Sequence, residues 1–249
     1  LRTQYDHDVL VAPESLDAAR CSLEEAGFRP KRKGNEQSPL VYRKDAPEIR
    51  FTQNSEALYS PRLGRSIELH QLLWEEEEER IHVNLFDDFL ERRVLRQWQG
   101  IPFMALSDED CLLFQVLHAF KHILRNWCRL SIFLEVAVFL NSRSSDSAFW
   151  KRFAGRIENV RWAREATFIV IRLAEQLFGG TISAQLRDSL KCPLSPALNL
   201  WIERYGRHSA FSNFHDDKHS LFLYREFVDD PSDWKIIQRR RLFRRRALA

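Results

Sequence analysis

Residues 5–11 (YDHDVLV) join two acids to an apolar run, and this combination restricts what the start of the chain can form. The apolar run 9–11 favours a buried β-strand, and Asp6 and Asp8 stand at its mouth. Because successive side chains of a strand alternate between its faces, Asp6 and Asp8 project to the same side. Carboxylates at the mouth of a buried strand are costly to desolvate, so the pattern indicates that they have a partner.

A second strand-like segment, residues 66–70 (SIELH), places Glu68 and His70 on one face by the same alternation. If the two strands are neighbours, Asp6, Asp8 and Glu68 converge at one position of a sheet. Such a cluster is repulsive unless a cation neutralises it, and Mg²⁺ takes carboxylate oxygens together with substrate phosphates. The pattern predicts a two-metal centre for phosphoryl or nucleotidyl transfer. The alternative is a solvated strand end or turn, where an Asp-X-Asp pair is common.

Four short motifs follow one another within residues 2–141. They are Asp6-His7-Asp8-Val9-Leu10-Val11 with a helix and Ala26-Gly27-Phe28 after it, Ile67-Glu68-Leu69-His70, His118-Ala119-Phe120-Lys121-His122, and Glu135-Val136-Ala137. In order and spacing they resemble the bacterial nucleotidyltransferase-like family, uncharacterised nucleotidyltransferases with an Asp-X-Asp-Leu-Leu-Val strand. That family belongs to the polymerase-β-type nucleotidyltransferase superfamily.

The resemblance implies an α+β fold, with a small mixed-sheet nucleotidyltransferase-type domain followed by an all-helical domain. It implies that Asp6 and Asp8 coordinate Mg²⁺ ions that bridge the phosphates of an NTP, with ATP expected. Glu68 would bind the ion nearest the acceptor hydroxyl and assist its deprotonation, and pyrophosphate would leave. The acceptor stays open among protein, small molecule and RNA.

Two departures from the family pattern bear on function. Glu68 stands where Asp is usual, and Leu1 begins the chain without the Gly-Ser or Gly-Gly turn that binds the nucleotide phosphates. Either the chain is a fragment or that part has been lost, and a non-catalytic interaction protein on a degenerate nucleotidyltransferase fold is the main alternative.

A helix is predicted from the capping signal at residues 107–110 to about residue 126. One face carries the apolar residues Leu113, Leu117, Phe120 and Leu124, and another carries His118, Lys121, His122 and Arg125. The basic face has two interpretations. It is either the solvent side of an amphipathic helix, or it faces the acidic strands across a cleft and binds the nucleotide.

In the second interpretation Lys121 approaches the triphosphate as a point charge, and His118 or His122 hydrogen-bonds phosphate or ribose. Arg129 is a further candidate for nucleotide binding. His70 is predicted to orient Glu68 or a neighbour rather than to bind the metal.

The remaining elements are predicted from periodicity and from capping and turn signals. Strands are expected at 6–11, 39–43, 48–52 and 66–73, and helices at 14–26, 84–98, 107–126, 129–141, 147–154, 160–178, 181–190 and 197–205. In the segment 84–98, early acids (Asp87 and Asp88) and late arginines (Arg92, Arg93 and Arg96) complement a helix dipole. Gly179-Gly180 is expected to end the helix at 160–178. The predicted domain boundary separates an α/β domain, residues 1–104, from a helical domain with a basic tail, residues 105–249.

Two charged segments lie outside these motifs. The five glutamates at 75–79 are interpreted as a solvated loop or helix start rather than a cation-binding patch. The tail has Lys235 and six arginines between residues 239 and 246, with no acid among them. It could bind RNA, DNA or an anionic membrane surface, which allows a nucleic-acid-binding accessory subunit as a third hypothesis. It could equally pair with Asp229, Asp230 and Asp233 or be a frayed helix.

Bulk properties predict a cytoplasmic protein. No apolar run approaches the length of a membrane span, and the net charge is only +3. The cysteines, Cys21, Cys111, Cys128 and Cys192, lack the close spacing of a zinc site and are expected to be free, buried thiols.

Overall fold

The computed structural model describes residues 6–31, 40–44, 66–179, 187–188, 194–211 and 218–242. It divides into two compact units, Leu1–Leu73 and Trp74–Ala249. The predicted α+β class is confirmed, since a small mixed sheet is followed by many helices. The predicted domain boundary near residue 104 differs from the boundary between these two units. Residues 74–104 lie in the second unit, where Trp74, Ile81 and Phe89 are buried.

The first unit is built on a four-stranded sheet. Its strands are β1 (Asp6–Leu10), β2 (Arg29–Pro30), β3 (Leu40–Arg43) and β4 (Ser66–His70), in the spatial order β1-β4-β3-β2. β1 pairs with β4 in parallel, and the other two pairings are antiparallel. The predicted strand 48–52 lies outside the described residues.

One helix covers this sheet. A 3₁₀ turn at Pro13–Ser15 leads into α1 (Leu16–Glu25), in agreement with the predicted helix at 14–26. Val11, Tyr42 and Leu69 form the buried core, and the α1 side chains Leu16, Ala19 and Leu23 pack against it. The chain leaves the helix through Gly27, whose φ of +87° favours glycine.

A β-hairpin replaces the helix predicted at 84–98, so that prediction was wrong. β5 (Val94–Trp98) pairs with β6 (Ile101–Ala105) through Gln99 and Gly100, which have φ of +48° and +82°. Positive φ at both central residues is typical of a type I′ hairpin turn.

The charges that suggested a helix dipole serve tertiary ion pairs instead. Arg92 lies 3.0 Å from Asp110, and Arg96 bonds Asp108. Asp108 and Asp110 open the helix that follows, so the hairpin is tied to the start of that helix.

After Ala105, every described element of the second unit is helical. The helices after a short α2 (Glu76–Glu79) are α3 (Asp108–Arg125), α4 (Leu130–Ser142), α5 (Ser147–Ile157), α6 (Ala163–Phe178), α7 (Pro196–Trp201), α8 (Arg207–Phe211), α9 (Ser220–Phe227) and α10 (Pro231–Leu242). A π-helical turn, Ile202–Gly206, joins α7 to α8. Of the predicted helix 181–190, only residues 187–188 are described.

The signals that predicted α3 and α6 are confirmed in detail. Ser107 caps α3 by accepting a hydrogen bond from the Asp110 amide, and Gly179 ends α6 with φ of +67°. The predicted apolar face of α3 is buried, with Leu113, Leu117, Phe120 and Leu124 all 1% exposed or less. α3 packs against α4, α5, α6 and α9 and is the centre of this unit.

Two bulk predictions can be compared with the described residues. Cys128 is buried and burial raises the pKa of its thiol to about 12, whereas Cys21 is exposed, against expectation. Cys192 lies outside the described residues. None of the helices in the described part of the chain combines the length and apolar character needed to cross a bilayer.

Candidate functional site

The parallel pairing of β1 with β4 brings the two acidic segments together. Asp8 and Glu68 are register partners, so both side chains stand on the same face of the sheet. The pairing continues past the strand, where the Val11 amide donates to the His70 carbonyl at 2.8 Å. The predicted juxtaposition of distant carboxylates follows from this register.

His70 is the third member of the group. It lies two residues after Glu68 on β4, on the same face. Its Nε2 lies 2.9 Å from Oδ1 of Asp8 and 3.8 Å from Oε2 of Glu68. One ligand atom from each of the three side chains lies within 4.8 Å of the other two. The His70 side chain is 12% exposed, and those of Asp8 and Glu68 are each 26% exposed.

Asp6 belongs to the same strand two residues earlier. Its backbone pairs with Ser66, while its side chain is outside the described part of the structure. The described donors are therefore two carboxylates and one imidazole. This set fits a divalent cation, since both donor types are common ligands of such ions. The signal for His70 was present in the sequence, because strand alternation places it beside Glu68.

The predicted nucleotide-binding residues lie in the second unit, where Lys121 and Arg129 contact side chains of the same unit. Lys121 Nζ lies 3.5 Å from Oε2 of Glu75. The guanidinium of Arg129 lies 4.8 Å from the ring centre of Trp127. His118, Lys121 and His122 are half-buried, so this face of α3 is not a simple solvent face.

The histidine pair on α3 has a definite hydrogen-bond direction. His122 Nδ1 lies 2.7 Å from the Trp127 carbonyl, and its Nε2 lies 2.7 Å from Nε2 of His118. Burial lowers the pKa of His122 to about 4. The hydrogen bond to the Trp127 carbonyl acts in the opposite direction, and the charges of Lys121, Arg129 and Arg125 add to the lowering. His122 is therefore neutral near pH 7. Since a carbonyl only accepts, Nδ1 of His122 carries the proton, and His118 Nε2–H donates to His122.

The run of glutamates forms a short helix with Glu77 and Glu78 exposed, as the interpretation of a solvated helix start expects, but Glu79 departs from it because it is buried. This helix is α2, Glu76–Glu79, and Glu79 is 2% exposed. Glu79 accepts hydrogen bonds from Arg125 Nε at 2.6 Å and from the Tyr224 hydroxyl at 2.8 Å. Burial, with the charge of Glu79, raises the pKa of Tyr224 well above its usual value, so the phenol remains a donor. The acids pack because α3 supplies cations that local sequence does not reveal.

The basic tail has a structural partner in α3. Arg241 donates to the carbonyls of Leu124 at 2.8 Å and Arg125 at 3.4 Å, at the carboxyl end of that helix. A cation there complements the helix dipole and the unpaired terminal carbonyls.

The acids proposed as partners of the tail have other contacts. Asp229 pairs with Arg161 at 2.7 Å, and Asp233 pairs with Arg80 at 3.1 Å. Asp230 accepts from the Ser232 amide at 2.6 Å. Residues 243–249 lie outside the described part of the tail.

Comparison with known proteins adds one finding to this geometry. A family model described as "Uncharacterised nucleotidyltransferase" matches residues 1–179, from the start of the chain to the end of α6. No curated protein and no solved structure matches the chain significantly.

Proposed function

The chain belongs to the uncharacterised nucleotidyltransferase family, and on that premise we propose that it transfers a nucleoside monophosphate from an NTP to an acceptor hydroxyl. The observation that carries the proposal is the register of Asp8 with Glu68, which concentrates two carboxylates and the His70 imidazole on one face of the sheet. Two acids facing each other across neighbouring strands repel one another, and a bound cation offsets that repulsion.

In this proposal Asp6, Asp8 and Glu68 hold the divalent cations, with Mg²⁺ the ion expected from the sequence. A bound divalent cation supplies positive charge that neutralises phosphate oxygens and the leaving pyrophosphate. Glu68 accepts the proton of the attacking hydroxyl. Before an ion binds, His70 limits the rotation of Asp8 through the 2.9 Å contact, which keeps the carboxylate in place. Positioning and charge neutralisation then supply most of the rate enhancement.

We also propose that His118, Lys121, His122 and Arg129 contribute to NTP binding. Support comes from charge and tautomer. Lys121 and Arg129 are cationic, and neutral His122 accepts a hydrogen bond from His118. Lys121 must exchange the Glu75 carboxylate for a phosphate in this role. Lys121→Gln should then raise KM for the NTP with little change in kcat. A lowered melting temperature with unchanged KM would assign Lys121 to the ion pair alone.

The test of transfer uses the full chain with each α-³²P-labelled NTP, Mg²⁺ or Mn²⁺, and a cell extract as the source of acceptor. We expect label to pass to a component of the extract. Asp6→Asn, Asp8→Asn and Glu68→Gln should abolish that transfer while the circular dichroism spectrum stays native. Asp17→Asn, on the exposed side of α1, is the matched control and should retain it. Full transfer by both aspartate variants would refute the assignment, and NTP binding without turnover would favour the non-catalytic alternative.

A further inference from the structure

The cluster of Asp8, Glu68 and His70 offers one imidazole nitrogen beside two carboxylates, whereas an all-carboxylate centre offers only oxygen donors. We propose that Nε2 of His70 is itself a metal ligand, which makes this a mixed carboxylate–imidazole centre that prefers Mn²⁺ to Mg²⁺. The inference rests on the proposed function, because it concerns the same centre. It departs from the prediction that His70 only orients a neighbouring acid.

The direction of the ring supports a ligand role. Nε2 approaches both carboxylates, at 2.9 Å from Asp8 and 3.8 Å from Glu68. For metal–ligand bonds of about 2.1 Å, adjacent donors of an octahedral ion lie about 3.0 Å apart. The distance from Nε2 to Asp8 is close to that value, and the distance to Glu68 requires only a small side-chain adjustment.

The backbone fixes this arrangement. Glu68 and His70 are two residues apart on β4, and β4 is an inner strand that pairs with β1 on one side and β3 on the other. The His70 ring is mostly buried, so it has little room to turn away from the two carboxylates. Because the His70 side chain is already held beside two carboxylates, it loses little conformational entropy when an ion binds.

The donor set decides the metal preference. Mg²⁺ favours oxygen ligands and keeps several waters, whereas imidazole nitrogen suits the first-row transition metals. Mn²⁺ accepts both carboxylate and imidazole, and replacing one water by Nε2 favours Mn²⁺ over Mg²⁺. If His70 only orients Asp8, its nitrogen never touches the ion and the preference disappears.

The experiment is a Mn²⁺ titration of the full chain followed by electron paramagnetic resonance, which counts the ion remaining in solution. Electron spin echo modulation of the bound ion then reports nitrogen in its coordination sphere. We expect ¹⁴N modulation in the wild-type protein, converted to ¹⁵N modulation when only histidine is labelled. That labelling identifies histidine without any substitution.

His70→Gln should lose the nitrogen modulation and bind Mn²⁺ at least about tenfold more weakly. Its Mg²⁺ affinity, measured by competition, should change less than its Mn²⁺ affinity. His7→Gln is the matched control, because His7 adjoins Asp8 on β1 but is exposed and alternates to the other face. It should behave as wild type.

The outcomes separate this inference from the proposed function. Bound Mn²⁺ without nitrogen modulation, or unchanged Mn²⁺ affinity in a folded His70→Gln, overturns the ligand role and leaves nucleotidyl transfer standing. Nitrogen modulation in a protein that transfers no nucleotide supports the ligand role and refutes the transfer. Failure of the wild-type chain to bind either ion overturns both.

Discussion

Nε2 of His70 lies 2.9 Å from Oδ1 of Asp8, although 62 positions separate the two residues in the sequence. The contact crosses from β1 to β4 and depends on their parallel register, in which Leu10 stands opposite His70 and Asp8 opposite Glu68. A slip of one residue would turn one strand's acidic side chains to the other face. The candidate centre therefore depends on strand pairing, and the stability of the folded protein should increase when a metal ion binds.

Glu68→Gln should uncouple stability from divalent cations. Without metal, the variant should unfold at or above the wild-type temperature, because one of two adjacent carboxylates is gone. With cation at 100 times its dissociation constant, the wild-type protein should gain about 2.7 kcal/mol, and the variant much less. Thermal shifts with and without MnCl₂ measure this. Asp17→Asn should gain as the wild type does, and an equal gain in Glu68→Gln would contradict the assignment.

Glu79→Gln should destabilise the second unit by about 2–3 kcal/mol, because Arg125 and Tyr224 lose a buried charged acceptor. Urea denaturation monitored by tryptophan fluorescence measures the loss. Glu77 is exposed in the same helix, so Glu77→Gln should stay within about 0.5 kcal/mol of wild type. A loss for Glu79→Gln as small as that for Glu77→Gln would show that Glu79 is not an essential buried acceptor.

Arg241→Ala should cost about 1–2 kcal/mol, since the last carbonyls of α3 lose a cationic donor. The control is Arg239→Ala on the same helix, where the side chain is exposed and little change is expected. Chemical denaturation compares the two. If Arg239→Ala proves the more destabilising, α10 does not dock on α3 through Arg241.

Stability should fall as pH falls from about 6.5 towards 4. The unfolded chain protonates His122 in that window, whereas the folded protein keeps it neutral because burial lowers the pKa of His122 to about 4. The neutral ring thus stabilises the fold above the window, and up to about 3 kcal/mol is lost below it. Denaturation at pH 7.5 and 4.5 measures the slope, which His122→Asn should flatten.

His82 provides a control of opposite sign for that measurement. Its hydrogen bond with Glu76 raises the pKa of His82, so its stabilisation is present at low pH and is lost as pH rises through the raised pKa. His82→Asn should therefore steepen the acid-side loss of stability. A flattened slope in His82→Asn would contradict the stabilising role given to the protonated His82.

Local sequence signals predicted the features that neighbouring residues determine, such as helix caps, helix ends and apolar faces. The cap at Ser107, the stop at Gly179 and the apolar stripe of α3 are each set by residues within a few positions of one another. The alternation in β1 and β4 also fixed which acids share a face, and the motif order identified the family.

The hairpin at 94–105 was missed although its turn is local, because the charge pattern around Gln99 and Gly100 does not report their positive φ. Long-range partners decided the burial of Glu79. Glu79 is buried because Tyr224, 145 positions away, donates to it.

The sequence by itself determined the fold class, the family and which residues of one strand share a face, because strand and helix periods are local geometry. Only the tertiary structure decided that His70 joins the two carboxylates, that the glutamate run pairs with α3 and that Arg241 caps the same helix. Those contacts depend on which segments the core brings together, and burial then makes isolated charges costly enough to select their partners.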